Sequence, residues 1–384
     1  MTRQISTSLR LRFLFTLVFG VLPRAAFRVP GAIIRAWLSN LPLGPAIWNA
    51  FAGSMMVTIP PAQLQAILPS TFDTYNAWTL AHGDNPRVDV LSADNSTRLL
   101  WIGTKKANKV VLFFHGGGYV MPLSDGHLDW MGHVRNEAAD YGIELSVCIL
   151  EYGSWHDIDG NDTAYTDGAG LVPANPYPRQ MVQGIFALKH LIASGCRPSD
   201  IVFGGDSAGG HLSLSILAHL HRHRPSELAA ESVIDQDEPV KGCFLVSPLS
   251  SFNFCTPSYK RWFSADILSQ NVVKKWGMHL VGYSPWQQEI SAGNGWAMAL
   301  DVPESWWEGF EAVQGILVTG GYEEVFSNHV QQLGEMLKRN SKGKVTLHMA
   351  NEAHDGPLMD FAAARPPSGT TKTITDFVIS CFKD

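Results

Sequence analysis

From residue 87 to the C-terminus, short apolar runs alternate with longer stretches in which apolar residues recur every three or four positions. The short runs predict strands at 110–114, 146–152, 201–203, 241–246, 315–319 and 344–349, and a stretch such as MVQGIFALKHLIA at 181–193 reads as a helix between two of them. Strands alternating with amphipathic helices predict an α/β fold: a mostly parallel sheet covered on both faces.

Two stretches break this rhythm. Residues 159–178, DGNDTAYTDGAGLVPANPYP, are polar and glycine-rich over a length unusual for a connection, and read as an insertion at the rim. Residues 250–310 interrupt the strand pattern and hold Trp262, Trp276, Trp286, Trp296, Trp306 and Trp307, half of the twelve tryptophans. Such rings either pack helices together or offer apolar area to a bulky ligand.

The first residues, MTRQISTSLRLR, carry three arginines and lead into the apolar run FLFTLVFGVL at 13–22. Ten residues are too few to span a bilayer, and the following PRAAFR is a poor cleavage site. The next segment, RVPGAIIRAWLSNLP, is amphipathic. A cap helix, an element lying on a membrane surface, and a signal or anchor all remain open. The compartment is open with them, either intracellular (cytoplasmic or endomembrane-associated) or secretory, and the sequons at Asn95 and Asn161 would carry sugar only in a secretory chain.

Length and composition fit one large α/β domain with additions: 384 residues, 45% of them apolar, suffice for a sizeable core. A net charge of −6 and a pI near 6.1 leave no basic footprint for nucleic acid. Cys148, Cys196, Cys243, Cys255 and Cys381 are scattered and odd in number, which argues against a disulfide framework. HDIDGND at 156–162 resembles part of a calcium loop but lacks the spaced glutamate, so it reads as a polar surface loop. Neither a metal nor a cofactor is expected, and the oligomeric state is undetermined.

Chemistry enters with GDSAGG at 205–210, placed between the apolar run at 201–203 and the helix-compatible HLSLSILAHL. A G-x-S-x-G on a strand-to-helix turn lifts a serine hydroxyl clear of the sheet, here Ser207, where a base can activate it. A second motif, HGGGY at 115–119, directly follows the apolar run VVLFF. Three consecutive glycines cost backbone entropy and ask for a reason. Ester chemistry supplies one, an oxyanion hole made by the amides of Gly116 and Gly117 with that of Ala208.

HGGG and GDSAGG together resemble the hormone-sensitive-lipase-like branch of the α/β hydrolases, over roughly residue 87 to the C-terminus. The resemblance implies an α/β-hydrolase domain at 87–384, with a helical cap formed by the insertion at 250–310 and the N-terminal segment 1–86. It also implies a serine, an acid and a histidine in that chain order. Aligning Gly321 and Phe326 of GILVTGGYEEVFSN with the family's pattern puts Glu324 at the acid position, where aspartate is more usual, with Glu323 as its rival. The histidine is His354, thirty residues beyond Glu324 on the loop after the last apolar run. His348, alternating within that run, reads as structural, and Asp355 is directed away from the triad by chain geometry.

The expected activity is therefore cofactor-free cleavage of a small lipophilic ester, such as a secondary metabolite or sterol ester, through an acyl-enzyme on Ser207. Acyl transfer by the same intermediate remains open. So does a binding protein of receptor or pseudoenzyme type on the same fold.

Overall fold

The computed structural model describes the chain except residues 1–6, 94, 106–107, 154–176, 222, 225–233, 235–237, 279–287, 289, 291–293, 295 and 384. The rim insertion at 159–178 and the loop HDIDGND thus fall almost wholly outside the described residues, as does Trp286.

The strands are β1 (Val88–Val90), β2 (Arg98–Ile102), β3 (Lys109–Phe114), β4 (Leu145–Glu151), β5 (Ile201–Asp206), β6 (Gly242–Val246), β7 (Gly315–Gly321) and β8 (Lys344–Ala350). They form one sheet in the order β1-β2-β4-β3-β5-β6-β7-β8. β1 pairs with β2, and β2 with β4, antiparallel, and every later pairing is parallel. All six predicted strands are present, within a residue or two at most ends, β5 extending three residues further to reach the elbow. β1 and β2 escaped prediction because a three-residue edge strand and its five-residue neighbour carry too little periodicity to read.

The continuous apolar runs are explained by burial on both faces. Val110, Leu112 and Phe114 of β3 point to one side and Val111 and Phe113 to the other, as strand alternation requires. The first side is filled by Met181, Ile185 and Leu188 of a helix at Arg179–Ala193, and by Leu212 and Ile216 of the helix Ala208–Leu220. The second is filled by Trp130, Met131 and Val134 of Asp125–Asp140, and by Ile374, Val378 and Phe382 of Gly369–Phe382.

Before the sheet come α1 (Thr7–Thr16), a π-helical turn at Leu17–Val21, α2 (Leu22–Leu38), α3 (Leu43–Thr58), α4 (Pro61–Ile67) and α5 (Thr71–Ala81). The predicted apolar run at 13–22 and the amphipathic stretch after it are therefore one almost unbroken helical path. The described residues of 250–310 include a 3₁₀ turn at Pro257–Lys260, a helical turn at Gln270–Val273 running into a π turn at Lys274–Met278, and a 3₁₀ turn at Glu304–Trp307. Its tryptophans divide accordingly. Trp296 and Trp307 are core residues, Trp276 is buried against a cavity, and Trp262 is 91% exposed.

Candidate active site

Ser207 sits at the end of β5, near the middle of the sheet, on the turn into the helix Ala208–Leu220. Its backbone is held at φ 51, ψ −110, outside the regions non-glycine residues favour. The surroundings over-determine this conformation: the Ser207 amide donates to the Val246 carbonyl at 2.8 Å, and the Ser207 carbonyl accepts from His211 at 3.0 Å. Glycine is obligatory at 209, because a Cβ there would lie 1.8 Å from the Phe114 carbonyl oxygen.

Glu324 lies on the loop after β7, and His354 on the turn after β8. The two loops are stitched together by backbone bonds from Tyr322 to Ala350 and from Glu323 to Glu352. His354 Nε2 is 2.9 Å from Ser207 Oγ, and its Nδ1 is 3.1 Å from Glu324 Oε2. Both Glu324 and His354 are buried, and the Phe326 ring meets the imidazole edge-on at 5.2 Å. Glu323 turns the other way, accepting two hydrogen bonds from Arg35 at 2.6 and 2.8 Å and a longer one from Arg261. His348 stands apart, near Thr370.

Two expectations need correction. The Gly116 amide donates to Asp206 Oδ1 at 3.0 Å, so this donor is already committed, and Gly116 is not among the residues bordering the cavity beside Ser207. Gly117, Gly118 and Ala208 do border it, and both glycines take positive φ, +99° and +62°, which frees the loop to pass close to the serine. Asp355, directed away by the sequence argument, instead folds back on the histidine. Its left-handed backbone, φ 53, brings Oδ2 to 3.1 Å from His354 Nε2, in competition with Ser207 Oγ. Its amide donates to Ser247 Oγ at 3.3 Å, which fixes that turn against the strand beside the elbow.

Electrostatics follow from this crowding. Burial opposes a charge on His354, but the carboxylates of Asp355 and Glu324 outweigh it and hold the imidazole well above its ordinary pKa. Burial pushes Asp355 up to about 7, partly offset by His354. Asp266, also missed by sequence reasoning, is fully buried, is raised by burial to about 6, and accepts from the amides of Val325 and Leu268. Nothing in the local sequence SADIL marks that residue, because its role comes from docking a distant loop beside Glu324. Asp206 was legible only as part of GDSAGG; its carboxylate latches HGGG to the elbow and lies 3.4 Å from His127 Nε2.

Ser207 and His354 open on an apolar cavity of about 200 Å³. Met56 of α3 and Ile267, Leu268, Val272 and Trp276 line it opposite Gly118 and Ala208. That is small beside the ~300–1,000 Å³ of sites for drug-sized ligands. The arrangement can lower the cost of removing the Ser207 proton and stabilise an adjacent oxyanion in a water-poor setting.

Residues 170–356 match a protein-family model described as the alpha/beta hydrolase fold. Among curated proteins the chain is similar to steryl acetyl hydrolase 1 of Saccharomyces cerevisiae, 22% identical over 265 residues, which are 66% of this chain and 55% of that protein. It is also similar to the carboxylesterase/phospholipase LipF of Mycobacterium tuberculosis, 28% identical over 156 residues, 38% of this chain and 36% of the other. The chain thus spans about half, or less, of the length of these curated relatives. An esterase from the bacterial hormone-sensitive lipase family superposes with a TM-score of 0.56 at 20% identity, covering 86% of this chain and 98% of the other. The chain has the α/β-hydrolase fold, and the proteins it resembles include ester hydrolases of the hormone-sensitive-lipase-like branch.

Proposed function

We propose that the protein is a carboxylic ester hydrolase acting on a small lipophilic ester through an acyl-enzyme on Ser207. The observation that carries this reading is the hydrogen-bonded line Ser207–His354–Glu324, whose first two members border an apolar cavity. His354 Nε2 takes the Ser207 proton as Oγ attacks the ester carbonyl; the proton passes to the leaving alcohol, and water then repeats the cycle on the acyl-enzyme. Glu324 holds the imidazole's orientation and offsets its developing charge. The amides of Gly117, Gly118 and Ala208 receive the oxyanion, each such donor being worth roughly 3 kcal/mol.

The helices of 1–86 and the segment 250–310 act as the cap, with Met56 and Trp276 closing the cavity. The small cavity favours a short acyl group, and the name of the yeast relative points the same way, to an acetyl ester of a lipophilic alcohol. The N-terminal helices make a peripheral membrane contact, which does not depend on this chemistry. A fluorophosphonate probe tests the chemistry directly. Intact-mass analysis shows one adduct, on Ser207, and the adduct is absent from Ser207→Ala and His354→Ala; a folded wild type that takes no adduct overturns the proposal.

Asp355 sets the pH dependence. His354 serves as base only when neutral, and its raised pKa keeps it protonated to higher pH, so activity climbs as pH rises through that value. Asp355→Asn removes the largest raising charge while Glu324, Asp266, Asp206 and Glu352 remain around the site. The acid limb of kcat/KM therefore moves toward lower pH, and the variant outperforms the wild type below the wild-type limb. A limb that stays in place shows that Asp355 does not hold the imidazolium.

A further inference from the structure

α2 and α3 pack in an inverted sense. Ala25, Gly31, Ala32 and Ala36 of α2 and Ala46, Ala50 and Gly53 of α3 are buried. Ala32, Ala36, Ala46 and Ala50 form a small core of their own with Ala265. The large side chains point out: Phe27 is 86% exposed and Trp37 76%, Leu11, Phe15 and Phe19 are exposed on the same helical path, and Trp48 is exposed on α3. Helices facing water normally do the opposite, and small-inside, large-outside packing is the arrangement of helices that meet lipid.

The patch continues onto the cap, where Phe263 packs on Gly31 of α2 and Trp262 stands beside it in the chain. Charge agrees with this. The first 72 residues hold six arginines and no acidic residue, in a chain of net charge −6, and Arg10, Arg12 and Arg24 are exposed on α1 and α2.

The path Arg10–Leu38 is long and apolar enough to cross a membrane by length and composition. Its inner side, however, is tied down. Arg28 donates to the Asp266 carbonyl, Arg35 to Glu323, Asn49 of α3 to the Ala265 carbonyl, and Asn351 to the Ser39 carbonyl. A spanning α2 would have to break these bonds and carry both arginines into hydrocarbon.

We propose that the outer face of α1, α2 and α3, with Trp262 and Phe263, lies flat in the surface of an anionic phospholipid bilayer. α3 also contributes Met56 to the catalytic cavity, and α2 and α3 clamp the segment 265–267 whose Ile267 lines it. A membrane-dissolved ester would therefore enter beside the lipid-facing surface. This last step rests on the ester-hydrolase reading, whereas the docking itself does not.

Flotation of the full chain with phosphatidylcholine vesicles, with and without phosphatidylserine, tests it. The protein floats with the vesicles, more so with phosphatidylserine and less so at high salt. Phe27→Ser/Trp37→Ser/Trp262→Ser lowers partitioning by about tenfold or more, while turnover of a water-soluble short-chain aryl ester stays at the wild-type level. Ser207→Ala binds vesicles like the wild type, and a wild-type protein that binds vesicles but turns over no ester would sink the hydrolase reading alone. Undiminished binding of the triple variant, resistance to alkaline carbonate extraction as expected of a span, or a vesicle-free dimer that buries Trp37 would each overturn the docking proposal.

Discussion

Ser207→Ala lowers kcat/KM for a short-chain aryl ester by about 10⁴ to 10⁶-fold, the range that loss of a serine nucleophile produces. The folded state changes little. Alanine inherits the same strained φ and ψ, so the elbow's backbone and its bonds to Val246 and His211 persist. The lost hydroxyl leaves no orphan, because His354 Nε2 still faces Asp355 Oδ2 at 3.1 Å. Stability therefore stays within about 1 kcal/mol of wild type. Residual turnover comes from Gly117, Gly118 and Ala208 polarising the carbonyl for water. Steady-state kinetics beside a thermal melt decide the matter: loss of activity with loss of fold says nothing of the nucleophile, and activity within tenfold of wild type on an unchanged melt removes Ser207 from the chemistry.

Glu324→Gln has the second largest effect, a fall of about 10⁴-fold in kcat, as expected where the acid that orients a catalytic histidine becomes an amide. Glu324 Oε2 is 3.1 Å from His354 Nδ1, and Oε1 is buried without a partner. An amide in this place can present its NH₂ to Nδ1 and so stabilise the wrong tautomer. Glu323→Gln is the paired control, because it shifts stability rather than rate. Its carboxylate is the partner of Arg35 and Arg261, largely buried, and losing the charge costs about 1–3 kcal/mol with kcat close to wild type. If the two variants exchange phenotypes, the roles assigned to the two glutamates are reversed.

That pair of residues marks the boundary of what a sequence can carry. Glu323 and Glu324 are chemically identical neighbours on one loop, and alignment to a family pattern separates them only weakly. In the folded chain they diverge because Arg35, nearly three hundred residues earlier, and Arg261 gather one carboxylate outward while the turn after β8 brings His354 to the other. Gly116 and Asp355 differ from expectation for the same kind of reason. The Gly116 amide is taken by Asp206 from the elbow, and a left-handed residue returns Asp355 to the imidazole its neighbour carries. Hydrogen-bond partners and backbone sign at single positions do not register in hydrophobic periodicity.

Beyond the order of serine, acid and histidine, which the family resemblance supplies, local patterns in the sequence were enough to determine the central parallel strands, the strand-to-helix turn at Ser207 and the glycine loop beside it. Each depends on neighbours in the chain: a continuous apolar run must be a doubly buried strand, and glycine must stand wherever backbones pass within a side chain's width. Only the tertiary structure decided the antiparallel edge strands, the commitment of Gly116, the second carboxylate on His354, the buried Asp266 and the outward-facing aromatics of α1, α2 and α3. These depend on which distant surfaces meet. The inversion of α2 and α3 in particular arises because their alanines and glycines let two backbones close on Ala265, leaving their large residues no interior to enter.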